Sequence, residues 1–140
     1  MKGIEEGVAY AAQCWNSGFN CAESVLRGMC LSQGIELSDQ ARRMSTPFGG
    51  GIGRSEDICG ALAGGVLAIG ASIGRTRSEE DRLPSYEAAG MFYKKFQDRF
   101  GSTQCKVLNM GDFKSPQHKK RCQAFVEEAT RLGLEVLRKH

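Results

Sequence analysis

Apolar residues along this chain recur at the three-and-four spacing of an α-helix, and no stretch alternates convincingly with period two. Ile4, Val8, Ala11, Ala12 and Trp15 predict a first helix over 4–15, stopped at Gly18. A second opens at Asn20, where Glu23 three residues on completes the outline of a capping box. Its apolar face is Ala22, Val25, Leu26 and Met29, and it ends around Gly34. Ser38 caps a short helix to about Met44, closed by Pro47. Phe48-Gly49-Gly50-Gly51-Ile52-Gly53 reads as a loop with many positions open to positive φ. Ser55 or Asp57 caps an apolar helix that carries Cys59, and a charged, exposed segment follows over 75–82.

Pro84 or Ser85 starts the next helix, with Ala88, Ala89, Phe92, Tyr93 and Phe96 at its apolar positions and Gly101 at its end. Ser102 or Thr103 caps a short turn with Cys105, Val107 and Leu108, followed by a loop over 109–114. Ser115-Pro116 is a cap with proline at the first helical position. The last helix runs to about Leu137, with Cys122, Phe125, Val126, Ala129, Leu132 and Val136 along one side. The expected fold is all-α: one domain over 1–140, a bundle of about five or six helices around a Gly/Ala-rich central helix.

Composition changes that picture in two places. With six cysteines and no secretory h-region at the N-terminus, a cytoplasmic location is expected, where thiols are metal ligands, redox groups or core filler rather than disulfides. At 140 residues the chain needs no disulfide staples to fold. The 18 glycines include Gly60, Gly64, Gly65 and Gly70 inside a helical pattern, where each costs about 1 kcal/mol against alanine. The expected return is close approach of another helix, or of a cofactor, across a surface without side chains. Ile58 to Gly74 holds no charge, but it falls short of the roughly 20 residues of a membrane span and is crowded with small residues, so a buried central helix is expected and no membrane partner. A net charge of +3 is too mild for nucleic-acid binding.

The cysteine spacing matches no zinc ribbon, finger or ferredoxin run. Position relative to predicted helix starts says more. Cys21, Cys59 and Cys105 each fall in a first turn, where free N–H groups and the helix dipole lower a thiol's pKa and make it a better nucleophile and metal ligand. Cys122 lies about two turns into its helix, after His118-Lys119-Lys120-Arg121, whose cations either favour its thiolate or form a solvated face. Cys14 and Cys30 read as packing or peripheral thiols.

Other chemistries find little footing. The glycine run lacks the P-loop lysine and fails the dinucleotide fingerprint. The expected alternative is backbone packed close against another part of the molecule, and its N–H groups would also suit a metal–sulfur cluster. His118 is expected in solvent, and neither it nor His140 sits in a hydrolase motif.

The stretches Asn20-Cys21-Ala22-Glu23-Ser24-Val25-Leu26, Phe48 to Gly53 and Cys59-Gly60-Ala61-Leu62-Ala63-Gly64, with single cysteines at 105 and 122, resemble the C_GCAxxG_C_C family of small redox-active proteins. The central motif here has its first two letters in the opposite order to the family label. The resemblance implies that Cys21, Cys59, Cys105 and Cys122 are the four characteristic cysteines. A similar domain accompanies an iron–sulfur centre in the split-Soret cytochromes, although this chain has no CxxCH haem site.

The leading expectation is therefore an electron-transfer or sensing protein with an iron–sulfur cluster, [2Fe–2S], on Cys21, Cys59, Cys105 and Cys122, bordered by Gly49, Gly50, Gly51 and Gly60. Its partner would be another redox protein, and homodimerisation stays open. Three alternatives remain: a metal-free thiol–disulfide enzyme with Cys59 as the attacking thiol, a zinc module on the same four cysteines, and a plain helical binding domain with packed cysteines.

Overall fold

In a computed structural model of the chain, residues 1–139 are described; His140 lies outside them. The main helices are α1 (Ile4–Asn16), α2 (Cys21–Gln33), α3 (Asp39–Ser45), α5 (Gly60–Ile73), α6 (Leu83–Phe100) and α8 (Pro116–Arg138). Two four-residue turns, α4 (Gly49–Ile52) and α7 (Cys105–Leu108), lie between them. The described residues form no strand, and their one isolated bridge joins Ile58 and Gln104. The fold is all-α, as the periodicity predicts. No helix of the described residues is long and apolar enough to cross a membrane.

The capping box at Asn20 is real: Asn20 Oδ1 accepts from the Glu23 N–H at 2.9 Å, and Glu23 Oε1 accepts from the Asn20 N–H at 2.9 Å. Asn20 Nδ2 also donates to the Thr46 carbonyl at 3.0 Å, which ties the start of α2 to the turn after α3. Because it performs both jobs, Asn20→Ala is expected to cost about 1–2 kcal/mol, read as a lower urea midpoint at unchanged slope.

Three helix starts differ from expectation. The cap of α5 is neither Ser55 nor Asp57 but Cys59 itself, because residues 54–58 remain extended or left-handed until they have paired with the 103–106 segment. α6 begins at Leu83, one residue before Pro84. α7 is capped by Gln104, whose N–H donates to Ser102 Oγ at 3.0 Å. The last helix starts at Ser115-Pro116, as the sequence predicts.

The core is built by α2, α5, α6 and α8, with Met29, Leu62, Ile69, Phe92, Phe96 and Leu134 fully buried. Central α5 packs on α2, α6 and α8. Its glycines face other elements. A Cβ on Gly64 would overlap the Ala22 carbonyl, one on Gly65 would overlap the Phe92 ring, and one on Gly60 would lie 3.3 Å from Cys21 Cβ. The helix cost of glycine is thus exchanged for a close crossing that sets α2, and Cys21 with it, against the start of α5.

Candidate redox centre

Four elements deliver the four expected cysteines to one place. Cys21 is the first residue of α2, Cys59 caps α5, Cys105 is the first residue of α7, and Cys122 lies in the second turn of α8. Backbone bonds hold the middle pair: the Cys59 N–H donates to the Thr103 carbonyl at 2.8 Å, and the Cys105 N–H donates to the Asp57 carbonyl at 2.5 Å. The chain reaches that pairing through an unusual run. Gly50, Gly51, Ile52, Gly53, Arg54 and Glu56 all have φ between 56° and 69°. For a β-branched residue such as Ile52 this conformation costs on the order of 1–3 kcal/mol. In return, the Glu56 and Asp57 carbonyls accept from the first amides of α7.

Cys59, Cys105 and Cys122 are buried, and Cys21 is half-buried. Cys21 and Cys122 act on each other's protons. The Cys122 sulfur pushes the Cys21 thiol well above its ordinary range, reinforced by burial and by charge on Cys122, Cys59 and Cys105. Cys21 in turn lowers the Cys122 thiol against the opposing effect of burial, with help from the Arg121 guanidinium. Burial pushes Cys59 up to about 12, although the Ala61 and Leu62 N–H groups pull the other way. Burial also raises Cys105, and charge on Cys122 adds to it.

The expected lowering at Cys21, Cys59 and Cys105 is therefore corrected: the neighbouring Cys122 with burial outweighs the helix start at Cys21, and desolvation outweighs it at Cys59 and Cys105. Cys59 as the attacking thiol gains no support from this setting; Cys122 is the thiol that favours its anion. Among the described residues, no three His, Cys, Asp or Glu side chains converge on one point as a single ion would require.

Of the four glycines expected at a cofactor, two border the sulfurs. A Cβ on Gly51 would sit 2.9 Å from Cys105 Cβ, and Gly60 faces Cys21. Gly49 packs on the Asn20 side chain, and Gly50 lines a neighbouring cleft of about 340 Å³ with Arg54, Glu56, Phe113 and His118.

Asn109, which sequence reasoning left in a loop, is a polar hub here and is only 2% exposed. Its Nδ2 donates to the Cys105 carbonyl at 3.1 Å and faces Cys105 Sγ at 3.8 Å. Its Oδ1 lies 3.0 Å from His118 Nδ1 and accepts from Cys122 Sγ at 3.8 Å. The expectation of His118 in solvent is corrected: it is half-buried, with Nδ1 3.7 Å from Cys122 Sγ. Arg121 spans the Asn109 and Asp112 carbonyls at 3.4 and 3.0 Å and pairs with the Asp112 carboxylate at 3.1 Å. Lys119 and Lys120 are exposed, so His118 and Arg121 of that run face the thiols' neighbourhood and the two lysines form the solvated face. The only advance signal for Asn109 was its i+4 relation to Cys105. Asn109→Leu is expected to cost about 1–3 kcal/mol by leaving buried donors unpaired, measured by urea denaturation against Asn109→Asp.

A profile of the family described as "Putative redox-active protein (C_GCAxxG_C_C)" matches residues 19–136. The chain belongs to the C_GCAxxG_C_C family. The match takes in Cys21, Cys59, Cys105 and Cys122 and leaves Cys14 outside. The chain is also similar to an "Uncharacterized protein" of Archaeoglobus fulgidus, 29% identical over 149 positions that span 99% of this chain and 97% of the relative. No solved structure matches the chain significantly.

Proposed function

We propose that this protein carries a [2Fe–2S] cluster on Cys21, Cys59, Cys105 and Cys122 and uses it for electron transfer or redox sensing. The reading rests on one observation: four cysteines from four separate elements share one buried neighbourhood. A two-iron cluster wants two thiolates at each of two irons. The donor chemistry fits, since soft thiolates select such clusters, and Gly51 and Gly60 leave room where a Cβ would crowd Cys105 and Cys21. Bound there, the cluster would supply one-electron exchange with a redox partner protein. The polypeptide's part is to exclude water from the sulfurs and to hold them from two sides through Asn109 and the crossing of α2 with α5.

Anaerobic reconstitution with ferric iron, sulfide and a thiol reductant tests this reading. Visible charge-transfer absorption with two irons and two sulfides per chain is expected. A colourless, iron-free product under those conditions overturns it.

A second reading has its own support in the Cys21–Cys122 pair. A metal-free couple would oxidise the two thiols to a disulfide, releasing two protons and passing two electrons to an oxidised disulfide partner, with Cys122 as attacking thiolate. Peptide mapping after mild oxidation would then find Cys21 joined to Cys122.

A further inference from the structure

The Asn109 side chain is pinned at one end and pointed at a sulfur at the other. Its Oδ1 lies 3.0 Å from His118 Nδ1 and accepts from the Arg121 Nε–H at 3.5 Å. A guanidinium only donates, so this end of the amide is the oxygen, and the NH2 end is left facing Cys105. Arg121 is itself held, by the Asp112 carboxylate at 3.1 Å and the Asp112 carbonyl at 3.0 Å. Asp112 Oδ1 in turn accepts from the Ser115 N–H at 3.1 Å, where α8 begins. At the other end, Nδ2 has two hydrogens for two acceptors: the Cys105 carbonyl at 3.1 Å and Cys105 Sγ at 3.8 Å. Asn109 is almost wholly buried, so solvent does not compete for them.

The sulfurs differ in where their donors come from. Cys59 takes the Ala61 and Leu62 N–H groups, which belong to the backbone and survive a change of side chain. Around Cys105 the nearby amides are engaged elsewhere: the Lys106 N–H donates to the Glu56 carbonyl at 3.1 Å, and the Leu108 N–H to the Gln104 carbonyl at 2.9 Å. The N–H offered to Cys105 Sγ comes from a side chain, Asn109. Ligation of the thiolates leaves this arrangement intact. A deprotonated Cys122 no longer donates to Oδ1, but His118 and Arg121 still hold that oxygen.

We infer that Asn109 raises the reduction potential of this centre by giving a hydrogen bond to the Cys105 sulfur. The inference rests on the cluster reading and adds to it the residue that tunes the cluster. Reduction brings one electron from the reductant into the cluster and neither makes nor breaks a bond, so negative charge grows on the ligand sulfurs. An N–H dipole aimed at one of them stabilises the reduced form more than the oxidised form, which moves the potential up. Asn109 touches no iron; it positions a dipole and acts through Cys105.

The test reconstitutes the full-length wild type, Asn109→Leu and Asn109→Asp, and titrates each with dithionite at a single pH. In Asn109→Leu the ratio of reduced to oxidised cluster at a fixed ambient potential should fall about tenfold, which is about 59 mV for a one-electron couple. It should fall further in Asn109→Asp, where a carboxylate adds its charge. A merely structural role would lower the yield of cluster and leave the potential of the loaded fraction where it was. Electron spin-echo spectra of the reduced protein, with asparagine amides labelled with 15N, read the contact directly. A coupled nitrogen is expected in the wild type and lost in Asn109→Asp, which keeps the test decisive should Asn109→Leu not load. A loaded Asn109→Leu within about twofold of the wild-type ratio, or the absence of any coupling that depends on Asn109, overturns the inference. Loss of the cluster from both variants overturns it as well, since Asn109 would then serve binding and not potential. A colourless wild type instead overturns the cluster reading itself.

Discussion

Replacing any one of Cys21, Cys59, Cys105 or Cys122 by serine is expected to abolish the visible chromophore of the reconstituted protein, while Cys14→Ser and Cys30→Ser keep it. A serine hydroxyl is a harder, more basic donor than a thiolate and serves iron–sulfur clusters poorly. Loss of one ligand from four also opens an iron to solvent. Cys14 and Cys30 are buried too, but their surroundings differ. Burial alone pushes Cys30 up to about 11, and Cys14 is raised by burial with Tyr10 as its polar neighbour. Neither shares charge with the other four. Iron and sulfide per chain, measured after anaerobic reconstitution of all six variants, checks the pattern. Retention of a full cluster by Cys59→Ser would end the four-ligand reading. The metal-free couple predicts another split: only Cys21→Ser and Cys122→Ser lose the two-electron titre, while Cys59→Ser and Cys105→Ser retain it.

The second large effect is steric. Gly64→Ala is expected to destabilise the fold by about 3 kcal/mol, the upper end of overpacking costs, because its new methyl group meets the Ala22 carbonyl. A backbone oxygen cannot rotate aside, so α2 must move away from α5. Gly70→Ala is the internal control. It lies in the same helix with nothing within 4 Å of its Cβ, so it should gain about 0.5–1 kcal/mol from helix propensity alone. Guanidinium midpoints of the two variants therefore move in opposite directions. Because Cys21 opens the displaced helix, Gly64→Ala should also reconstitute poorly. Equal midpoints for the two alanine variants would show that the crossing is not tight.

The same comparison separates local from distant causes. The all-α class, the capping box at Asn20, the proline start at Pro116 and the glycine stops at Gly34 and Gly101 were legible in the sequence, because each depends on contacts within a turn or two. So was the division of the six cysteines, since position beside caps and glycines is a local pattern. The start of α5 was not legible: its cap is decided by pairing of residues 56–59 with 103–106, almost fifty positions away.

The thiol chemistry shows the limit most clearly. Helix starts at Cys21 and Cys105 and the cap at Cys59 were local facts, and they argue for lowered pKa values. Burial and the approach of Cys122 to Cys21 are not local, and together they reverse the direction at all three. The anion-favouring role passes to Cys122, deep in a helix, because Cys21 and Arg121 happen to meet it there. His118 and Asn109 moved from expected solvent and loop to the sulfurs' side for the same reason. Sequence by itself thus determined the helices; tertiary structure alone decided the protonation of the cysteines and their company. Hydrogen-bonding patterns along a helix act over a few residues, whereas desolvation depends on everything the folded chain brings near.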